Sequence, residues 1–429
     1  MNRRKFIKQS GIMLLGLQAF PHLLPASAVN APSGKRIANH VVFCLFAGGI
    51  RNFESIDMAE GNLMPHILSG NNPIAKDIAD GIEQLPGASD IMPLQKFGTL
   101  YKQFRYNSSK TIHYTAHAAS ITGVYASNVQ LMRPLNFPSV FEYYRKHSSP
   151  SPSALNAWWV SDQAGPFAFL NYSDYQGYGP LYGANMLQPT SFLNSRLNGF
   201  QQFNDKDFES VSNLQTFFNR HAQIRKSELS SHEIENNIYD RLRIEKLLSG
   251  LNQEYFTSGF YPWQMGKGVN GDIVTMHAAT RVLSTFKPEL LVVNMQHSDI
   301  GHSNFTQYCN NMHKASFAVS QLWNTIQSDP VLKDDTILII APEFGRNSEP
   351  NNIVDAYGKL AVDHTGDENS KHIFCMIAGP PNLVKQNQVV NEVAGESIDI
   401  VPTIAKILGF DSGIPKDILN GRFLHEAFV

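Results

Sequence analysis

Acids, histidines and an arginine lie beside three apolar runs of strand length. The runs are residues 290–295, 336–341 and 373–378, and the polar residues beside them are Asp299, His302, Glu343, Arg346 and His364. Because the carboxyl ends of parallel strands converge on one crevice, these side chains can meet in a single site. Imidazole and carboxylate are ligands that zinc, iron and manganese accept. The pattern therefore predicts a site for a divalent metal ion.

Asp299 and His302 are the first candidates for metal ligands, and the nearby His297 adds another imidazole. The alternative is a solvent-facing loop, in which Ser303 or Asn304 caps the helix that follows. His364 is a further candidate ligand. Its neighbour Asp363 would orient the ring by accepting a hydrogen bond.

Glu343 and Arg346 follow the second apolar run within one short segment. Glu343 is a candidate ligand or general base, and the planar guanidinium of Arg346 suits an anionic substrate group. The alternative is an ion pair that closes a turn. A separate segment carries His113 and His117, whose spacing of four puts both on one face of a helix.

The composition limits the class of function. The chain has 429 residues, 35 basic and 37 acidic, so bulk attraction to nucleic acid is not expected. The hydrophobic fraction of 42% is ordinary for a globular protein that buries a large core. No stretch approaches the roughly 20 apolar residues that an integral membrane span requires.

Residues 1–28 are expected to be a targeting segment. Arg3 and Arg4 precede a mildly apolar stretch, and small residues at 26–28 offer a cleavage site. Paired arginines followed by Phe and Lys match the signal read by the twin-arginine translocation machinery. The alternative is a general secretory signal that happens to carry two arginines. The expected location is periplasmic or secreted, by the twin-arginine route.

Strand-like runs separated by segments of helix length predict an α/β fold, with a mostly parallel sheet and helices on both faces. Residues 94–106 are expected to be helical, and Thr122-Gly123 to be a turn into a helix. Residues 164–277 change composition and are interpreted as an inserted cap. The α/β core is then formed by residues 36–163 and 278–429.

In their order along the chain, the motifs resemble those of the alkaline phosphatase superfamily, which includes the sulfatases. The resemblance is still closer to a family of uncharacterised twin-arginine-exported proteins related to sulfatases. The residues that carry it are Gly48-Gly49, His113-Tyr114, Thr122-Gly123, Asp299, His302, Glu343 to Arg346, Asp363-His364 and Asp399 to Gly409.

The resemblance implies an altered site. An Asp is expected after the first strand, where Ala47 stands, and His113 occupies the position of the usual Ser, Thr or Cys nucleophile. Phe344 replaces a metal-binding histidine, and Asp299 precedes His302 by three residues where four would be usual. The resemblance thus implies that one metal half-site survives, formed by Asp299, His302 and His364.

Three functions are consistent with these residues. The first is a metal-dependent hydrolase of phosphate or sulfate esters, acting on an anionic small molecule or glycan. In it His113 serves as acid, base or ligand, Glu343 as base or ligand, and Arg346 binds the anion. The alternative is a non-catalytic envelope protein that keeps the fold to bind a glycan or protein partner. A third is phosphoryl transfer through a phosphohistidine at His113.

Overall fold

The computed structural model describes most of the chain in eight stretches. They are residues 34–83, 92–127, 129, 133–148, 151–162, 170–189, 236–258 and 270–429. The predicted signal at 1–28 lies outside them, as does most of the predicted insert at 164–277. Among the described residues, no helix combines the length and apolar character that crossing a membrane requires.

The strands of the described stretches form one sheet. They are β1 His40–Phe46, β2 Gly98–Arg105, β3 Ala157–Ser161, β4 Asn185–Leu187, β5 Leu290–Met295, β6 Thr336–Pro342, β7 His372–Ala378 and β8 Gln388–Glu396. Their order across the sheet is β4-β3-β5-β1-β6-β7-β2-β8. Only β7 runs antiparallel to its neighbours β6 and β2, and the other neighbouring pairs are parallel. The predicted mostly parallel sheet is confirmed.

Helices connect the strands. The α-helices of the described stretches are α1 Lys76–Ala79, α2 His113–Thr122, α3 Val140–His147, α4 Ile238–Ser258, α5 Gly271–Phe286, α6 Phe305–Ser328 and α7 Ile400–Leu408. Short 3₁₀ helices span Leu94–Phe97, Ala154–Asn156, Pro180–Tyr182, His297–His302, Glu368–Lys371, Ser397–Asp399, Asp411–Gly413 and His425–Ala427.

Both faces of the sheet are covered by helices, as predicted. Along β1, Val42 and Cys44 belong to one buried cluster, with residues of α5 and α6, while Val41 and Phe43 belong to another, with residues of α2, α3 and α7. A strand that is buried on both faces has no polar side. This is why the central strands are recognisable as continuous apolar runs.

The prediction of a helix over residues 94–106 was wrong. Leu94–Phe97 is a 3₁₀ helix, and the chain then enters β2, which lies between β7 and β8. Apolar residues at 94, 97, 100, 101 and 104 have helical spacing. Pairing with two distant strands overrides this local pattern, because each strand of the sheet depends on its neighbours more than on its own propensity.

The prediction that Thr122-Gly123 leads into a helix was also wrong. The helix begins earlier, at His113, and Gly123 ends it in the left-handed conformation with φ +73. Glycine adopts this conformation without a steric cost, so it commonly ends helices. His113 therefore lies in the first turn of α2.

The predicted insert contributes to the core where it is described. β4 pairs with β3, and Leu247 and Leu248 of α4 lie in the same buried cluster as α5. The boundary expected at residue 277 falls within α5, which begins at Gly271.

Candidate metal centre

Three neighbouring central strands, β5, β1 and β6, end side by side at the carboxyl end of the parallel part of the sheet. Phe46 at the end of β1 is in register with Met295 of β5 and with Pro342 of β6. The segments that follow β1, β5 and β6 therefore start from the same edge. The candidate residues converge there, as the pattern of apolar runs predicts.

Asp299 and His302 lie on the 3₁₀ helix that directly follows β5. In this helix type, residues three apart eclipse one another, so both side chains leave it on the same side. Asp299 Oδ1 lies 3.3 Å from His302 Nε2. The spacing of three, unusual for the family that the sequence resembles, is therefore compatible with a shared ligand position.

His113 and His364 complete the group from two other segments. His113 Nε2 lies 3.2 Å from Asp299 Oδ1 and 3.1 Å from His364 Nε2, while His364 Nε2 lies 3.9 Å from Asp299 Oδ1. One nitrogen or oxygen of each of the four residues His113, Asp299, His302 and His364 lies within 4.8 Å of all the others. The structure thus brings His113 together with the three residues predicted as ligands.

The spacing of these four atoms fits a metal ion. Donors around a tetrahedral zinc ion with bonds of 2.0–2.1 Å lie about 3.3 Å apart. Three imidazoles and one carboxylate form a donor set that zinc, iron and manganese accept. Geometry and donor chemistry are therefore compatible with a metal ion held by these four residues.

The three imidazoles are held by their other ring nitrogen. Nδ1 of His302 lies 2.6 Å from Asp363 Oδ1, Nδ1 of His113 lies 2.7 Å from Glu343 Oε1, and Nδ1 of His364 lies 2.9 Å from the carbonyl oxygen of Thr111. Since all three partners accept hydrogen bonds, Nδ1 carries the proton and Nε2 is left for a metal.

Two of these partners were not identified correctly from the sequence. Asp363 was expected to orient His364, but it bonds His302 instead, and the backbone of Thr111 takes its place at His364. The Thr111 hydroxyl also donates to the carbonyl oxygen of His364. Backbone partners carry no signal in a sequence, and this contact joins positions 253 residues apart.

Glu343 lies behind His113 and is fully buried. Its Oε1 accepts hydrogen bonds from Nδ1 of His113 and from the backbone N–H of Gly48. Its Oε2 lies 2.7 Å from Nδ1 of His117. The structure therefore places this carboxylate inside the protein, one ring away from the four converging donors.

Arg346 is also fully buried, and its guanidinium contacts backbone carbonyl groups. It donates to the carbonyl oxygens of Val362 at 2.6 Å, of Ser298 at 2.9 Å, of Gly49 at 3.2 Å and of Gly48. Nη2 lies 3.4 Å from Asp299 Oδ1. Arg346 therefore joins the loops after β1, β5 and β6, and it also contacts one candidate ligand.

Two residues that depart from the family pattern are apolar in the structure. Ala47 is fully buried and offers no ligand at the end of β1. The Phe344 ring lies 5.1 Å from the ring of His113 and 4.4 Å from that of His364, measured between centroids. Phe344 thus packs against two of the imidazoles where a further metal-binding histidine was expected.

The charges of the centre shift its acid–base behaviour. Burial alone lowers the pKa of His113, but the carboxylates of Glu343 and Asp299 outweigh burial and raise it to about 10. Burial raises the pKa of Glu343, but His117 and His113 outweigh it and lower the pKa to about 2. Asp299 likewise has a pKa below its usual range, because His113 and His302 outweigh its burial.

The pKa values of the remaining two imidazoles, those of His302 and His364, are shifted in opposite directions. The hydrogen bond to Asp299 raises the pKa of His302. Burial, together with the neighbouring His113, lowers the pKa of His364 to about 4. With these pKa values and without a metal ion, the His113 ring is positively charged at neutral pH, whereas the His364 ring is uncharged.

Among the comparisons with known proteins, similarity is found to solved structures. No family model matches the sequence, and no curated protein does. A protein of the alkaline phosphatase superfamily from Vibrio parahaemolyticus is 12% identical, with 99% of this chain and 78% of that chain covered and a TM-score of 0.44. The alkaline phosphatase PafA is 10% identical, with 91% of this chain and 99% of that chain covered and a TM-score of 0.49. A 2-O GAG sulfatase is 10% identical, with 90% of this chain and 73% of that chain covered and a TM-score of 0.44. At such low similarity, the chemistry of the centre has to be judged from its own residues.

Proposed function

We propose that this protein is a hydrolase of phosphate or sulfate esters that uses one divalent metal ion, and that it is an altered member of the alkaline phosphatase superfamily. The observation that carries the proposal is the convergence of one donor atom from each of His113, Asp299, His302 and His364. The order of the family motifs along the sequence supports the superfamily assignment.

The metal centre can be reached from solvent. The side chains of Asp299 and His302 are 45% and 36% exposed, whereas the side chain of His364 is buried. One side of the donor group therefore faces solvent, from which an ester and a water molecule can approach. A divalent ion held there would act as a Lewis acid on the ester and would make water a stronger nucleophile at neutral pH.

The residues of the chain have distinct roles in this proposal. Asp299, His302 and His364 hold the metal, and His113 either adds a fourth ligand or exchanges a proton with the reacting groups. Arg346, predicted from the sequence to bind the substrate anion, acts through Asp299 and the three loops that it joins. We infer that the metal itself is the main positive charge facing the anionic ester.

A non-catalytic protein is the second candidate, favoured by the number of donors. Structural zinc sites have four protein ligands, whereas catalytic sites usually have three and leave one position open. If His113 stays bound beside Asp299, His302 and His364, the ion has no open position. The fold would then serve to bind a glycan or a protein partner.

One experiment separates these candidates. The purified full chain is stripped of metal, reloaded with Zn²⁺, Mn²⁺ or Fe²⁺, and assayed on aryl phosphate, phosphodiester, phosphonate and sulfate esters. The hydrolase predicts one metal equivalent per chain, together with ester cleavage that is lost in His302→Ala. One bound equivalent without cleavage of any ester supports the second candidate. Absence of metal binding contradicts both.

We also propose that the chain is exported to the periplasm or beyond by the twin-arginine route. The paired Arg3 and Arg4 support this, together with the small residues at 26–28. Replacing both arginines by lysine should retain the full-length protein in the cytoplasm, as measured by cell fractionation. If the double variant is exported as efficiently as the wild type, the chain uses the general secretory route.

A further inference from the structure

We infer that Glu343 is a positioning residue, whose buried carboxylate holds His113 with its Nε2 atom turned toward the other three donors. The inference rests on the proposed function, because it concerns the same metal centre. It gives Glu343 a role different from both roles that the sequence suggested, metal ligand and general base.

Glu343 has no access to a substrate or to the metal position. The side chain is 0% exposed, and a general base has to reach the group from which it takes a proton. Among the described residues, the group of converging donors does not include it. Its Oε1 is instead engaged by Nδ1 of His113 and by the N–H of Gly48.

The carboxylate connects three separate elements. Glu343 follows β6, Gly48 lies in the turn after β1, and His113 begins α2. Its backbone N–H donates to the carbonyl oxygen of Phe46 at 3.0 Å, which continues the ladder between β1 and β6. The orientation of His113 is therefore set by the ends of two central strands rather than by contacts at the surface.

The other oxygen of the carboxylate faces His117. Oε2 lies 2.7 Å from Nδ1 of His117, whose hydrogen bond goes to the carbonyl oxygen of His113 at 2.7 Å, and Nε2 of His117 lies 3.1 Å from Oδ1 of Asn294 on β5. The Asn294 amide donates to the hydroxyl oxygen of Ser161 on β3 at 3.0 Å. His117 is thus a buried neighbour of Glu343, fixed by the carbonyl oxygen of His113 and by Asn294, that places a second imidazole beside the carboxylate. This explains two histidines on one face of α2, of which only His113 faces the donors.

The neutral isostere tests this role. Glu343→Gln removes the negative charge beside His113 and keeps only one acceptor oxygen, so in either orientation of the amide its NH₂ group faces an imidazole N–H, that of His113 or that of His117. Loss of a hydrogen-bond partner of a metal-bound histidine typically weakens metal binding by about 10–100-fold. The affinity of the metal-free full chain for Co²⁺, measured by competition with a chelator, should therefore fall by about that factor in Glu343→Gln.

A double-mutant cycle with His113→Ala shows whether Glu343 acts through His113. If it does, the double variant binds Co²⁺ no more weakly than His113→Ala, and the absorption spectrum of the Co²⁺ complex of Glu343→Gln moves toward that of His113→Ala. Glu343→Asp keeps the charge on a shorter side chain and should regain part of the affinity. It also provides the test if Glu343→Gln does not fold.

Glu142→Gln is the matched control. Glu142 is a fully buried carboxylate in α3 that accepts hydrogen bonds from the N–H of Ser139 and the hydroxyl of Ser173, and its loss should leave Co²⁺ affinity unchanged. Wild-type affinity in Glu343→Gln, or additive losses in the cycle, would overturn the inference. Co²⁺ affinity is measured without any ester. If the wild-type chain binds Co²⁺ but cleaves no ester, the proposed hydrolase function is therefore wrong, while the inferred role of Glu343 is unaffected.

Discussion

His302 Nδ1 lies 2.6 Å from Asp363 Oδ1, while Nε2 of the same ring lies 3.3 Å from Asp299 Oδ1. The ring thus bridges two partly exposed carboxylates at the solvent-facing side of the metal centre. The hydrogen bond to Asp299 raises the pKa of His302, which favours a proton on Nε2 in addition to the one on Nδ1. A metal ion would take the place of the Nε2 proton and leave the bond to Asp363 intact. If the proposed metal site is correct, Asp363 determines metal affinity without being a ligand.

Replacing Asp363 by alanine should therefore weaken binding of a divalent metal by about 10–100-fold, since His302 loses the acceptor that fixes its ring. Competition with a chelator measures the change. Asp367→Ala is the control, because Asp367 accepts hydrogen bonds from Ser348 and Ser370 in the same loop. An equal loss in both variants would show that the loop as a whole, and not the bond to His302, determines the affinity.

Metal affinity should rise with pH through the neutral range. The pKa of His113 is raised to about 10, so a metal ion bound at its Nε2 has to displace a proton, and the raised pKa of His302 favours the same displacement there. His364, whose pKa is lowered to about 4, has none to lose. We expect release of roughly one to two protons near pH 7. Calorimetric titration in buffers of different ionisation enthalpy measures that number.

Two alanine variants test the source of these protons. His113→Ala should release about one proton fewer than the wild type, whereas His364→Ala should bind metal more weakly but release the same number. If the loss of His364 lowers the proton count instead, the assignment of charge within the centre is wrong.

The sequence predicted the sheet better than it predicted the contacts within the centre. β1, β5, β6 and β7 are buried on both faces, so each contains a continuous apolar run, and polar residues follow the runs of β5 and β6. β2 was taken for a helix because its apolar spacing is helical, and only its long-range pairing makes it a strand. Local patterns therefore located the edge of the sheet at which the candidate residues meet.

The assignment of roles within the centre required the structure. His113 and Glu343 are 230 residues apart, and nothing in either segment indicates that one ring nitrogen faces the other's carboxylate. Arg346 followed a strand end, as a substrate-binding arginine would, yet its guanidinium contacts four backbone carbonyls. Backbone acceptors have the same chemistry at every position, so a sequence cannot indicate which of them an arginine will contact.

Glu343 and Glu142 should respond to acid in opposite ways. The folded pKa of Glu343 is about 2, below its ordinary value of 4.5. Its contribution to stability is thus present above about pH 4.5 and is lost as the pH falls toward 2. Burial raises the pKa of Glu142, so the folded protein binds this proton more tightly than the unfolded chain. Protonation of Glu142 therefore adds stability as the pH falls through its raised pKa.

Denaturant unfolding of metal-free wild type, Glu343→Gln and Glu142→Gln at several acidic pH values measures both effects. The advantage of wild type over Glu343→Gln in free energy of unfolding should shrink with acid between about pH 4.5 and 2. The advantage over Glu142→Gln should instead grow below the raised pKa of Glu142. Parallel trends in the two comparisons would contradict the charge state assigned to Glu343.

Replacing Arg346 by lysine should destabilise the metal-free protein by roughly 3 kcal/mol or more, because a buried ammonium cannot reach the carbonyls that the planar guanidinium joins. Denaturant unfolding measures the loss. Arg422→Lys, at a partly exposed ion pair with Glu426, should stay within about 0.5 kcal/mol of wild type. If Arg346 contacted substrate instead, its lysine variant would keep wild-type stability and raise KM.

Gly48, in the turn after β1, lies against the segment that carries Asp299 and His302. Its φ is +99, and a Cβ there would lie 2.4 Å from the backbone nitrogen of Asp299. Gly48→Ala should therefore both strain the turn and displace Asp299. Gly358 has a similar φ of +78, and a Cβ added to it would meet no atom within 4 Å. Gly358→Ala therefore carries the conformational cost alone, about 1–2 kcal/mol.

The difference in free energy of unfolding between the two alanine variants measures the steric cost of the added Cβ at Gly48, separately from the cost of the positive φ. Gly48→Ala should lose roughly 1–3 kcal/mol more in free energy of unfolding than Gly358→Ala, because overpacking adds to the backbone strain. It should also bind divalent metal more weakly, whereas Gly358→Ala should bind as the wild type does. Denaturant unfolding and chelator competition on the same preparations measure both quantities. Equal stability losses and unchanged metal affinity would mean that the contact between Gly48 and Asp299 does not position the ligand.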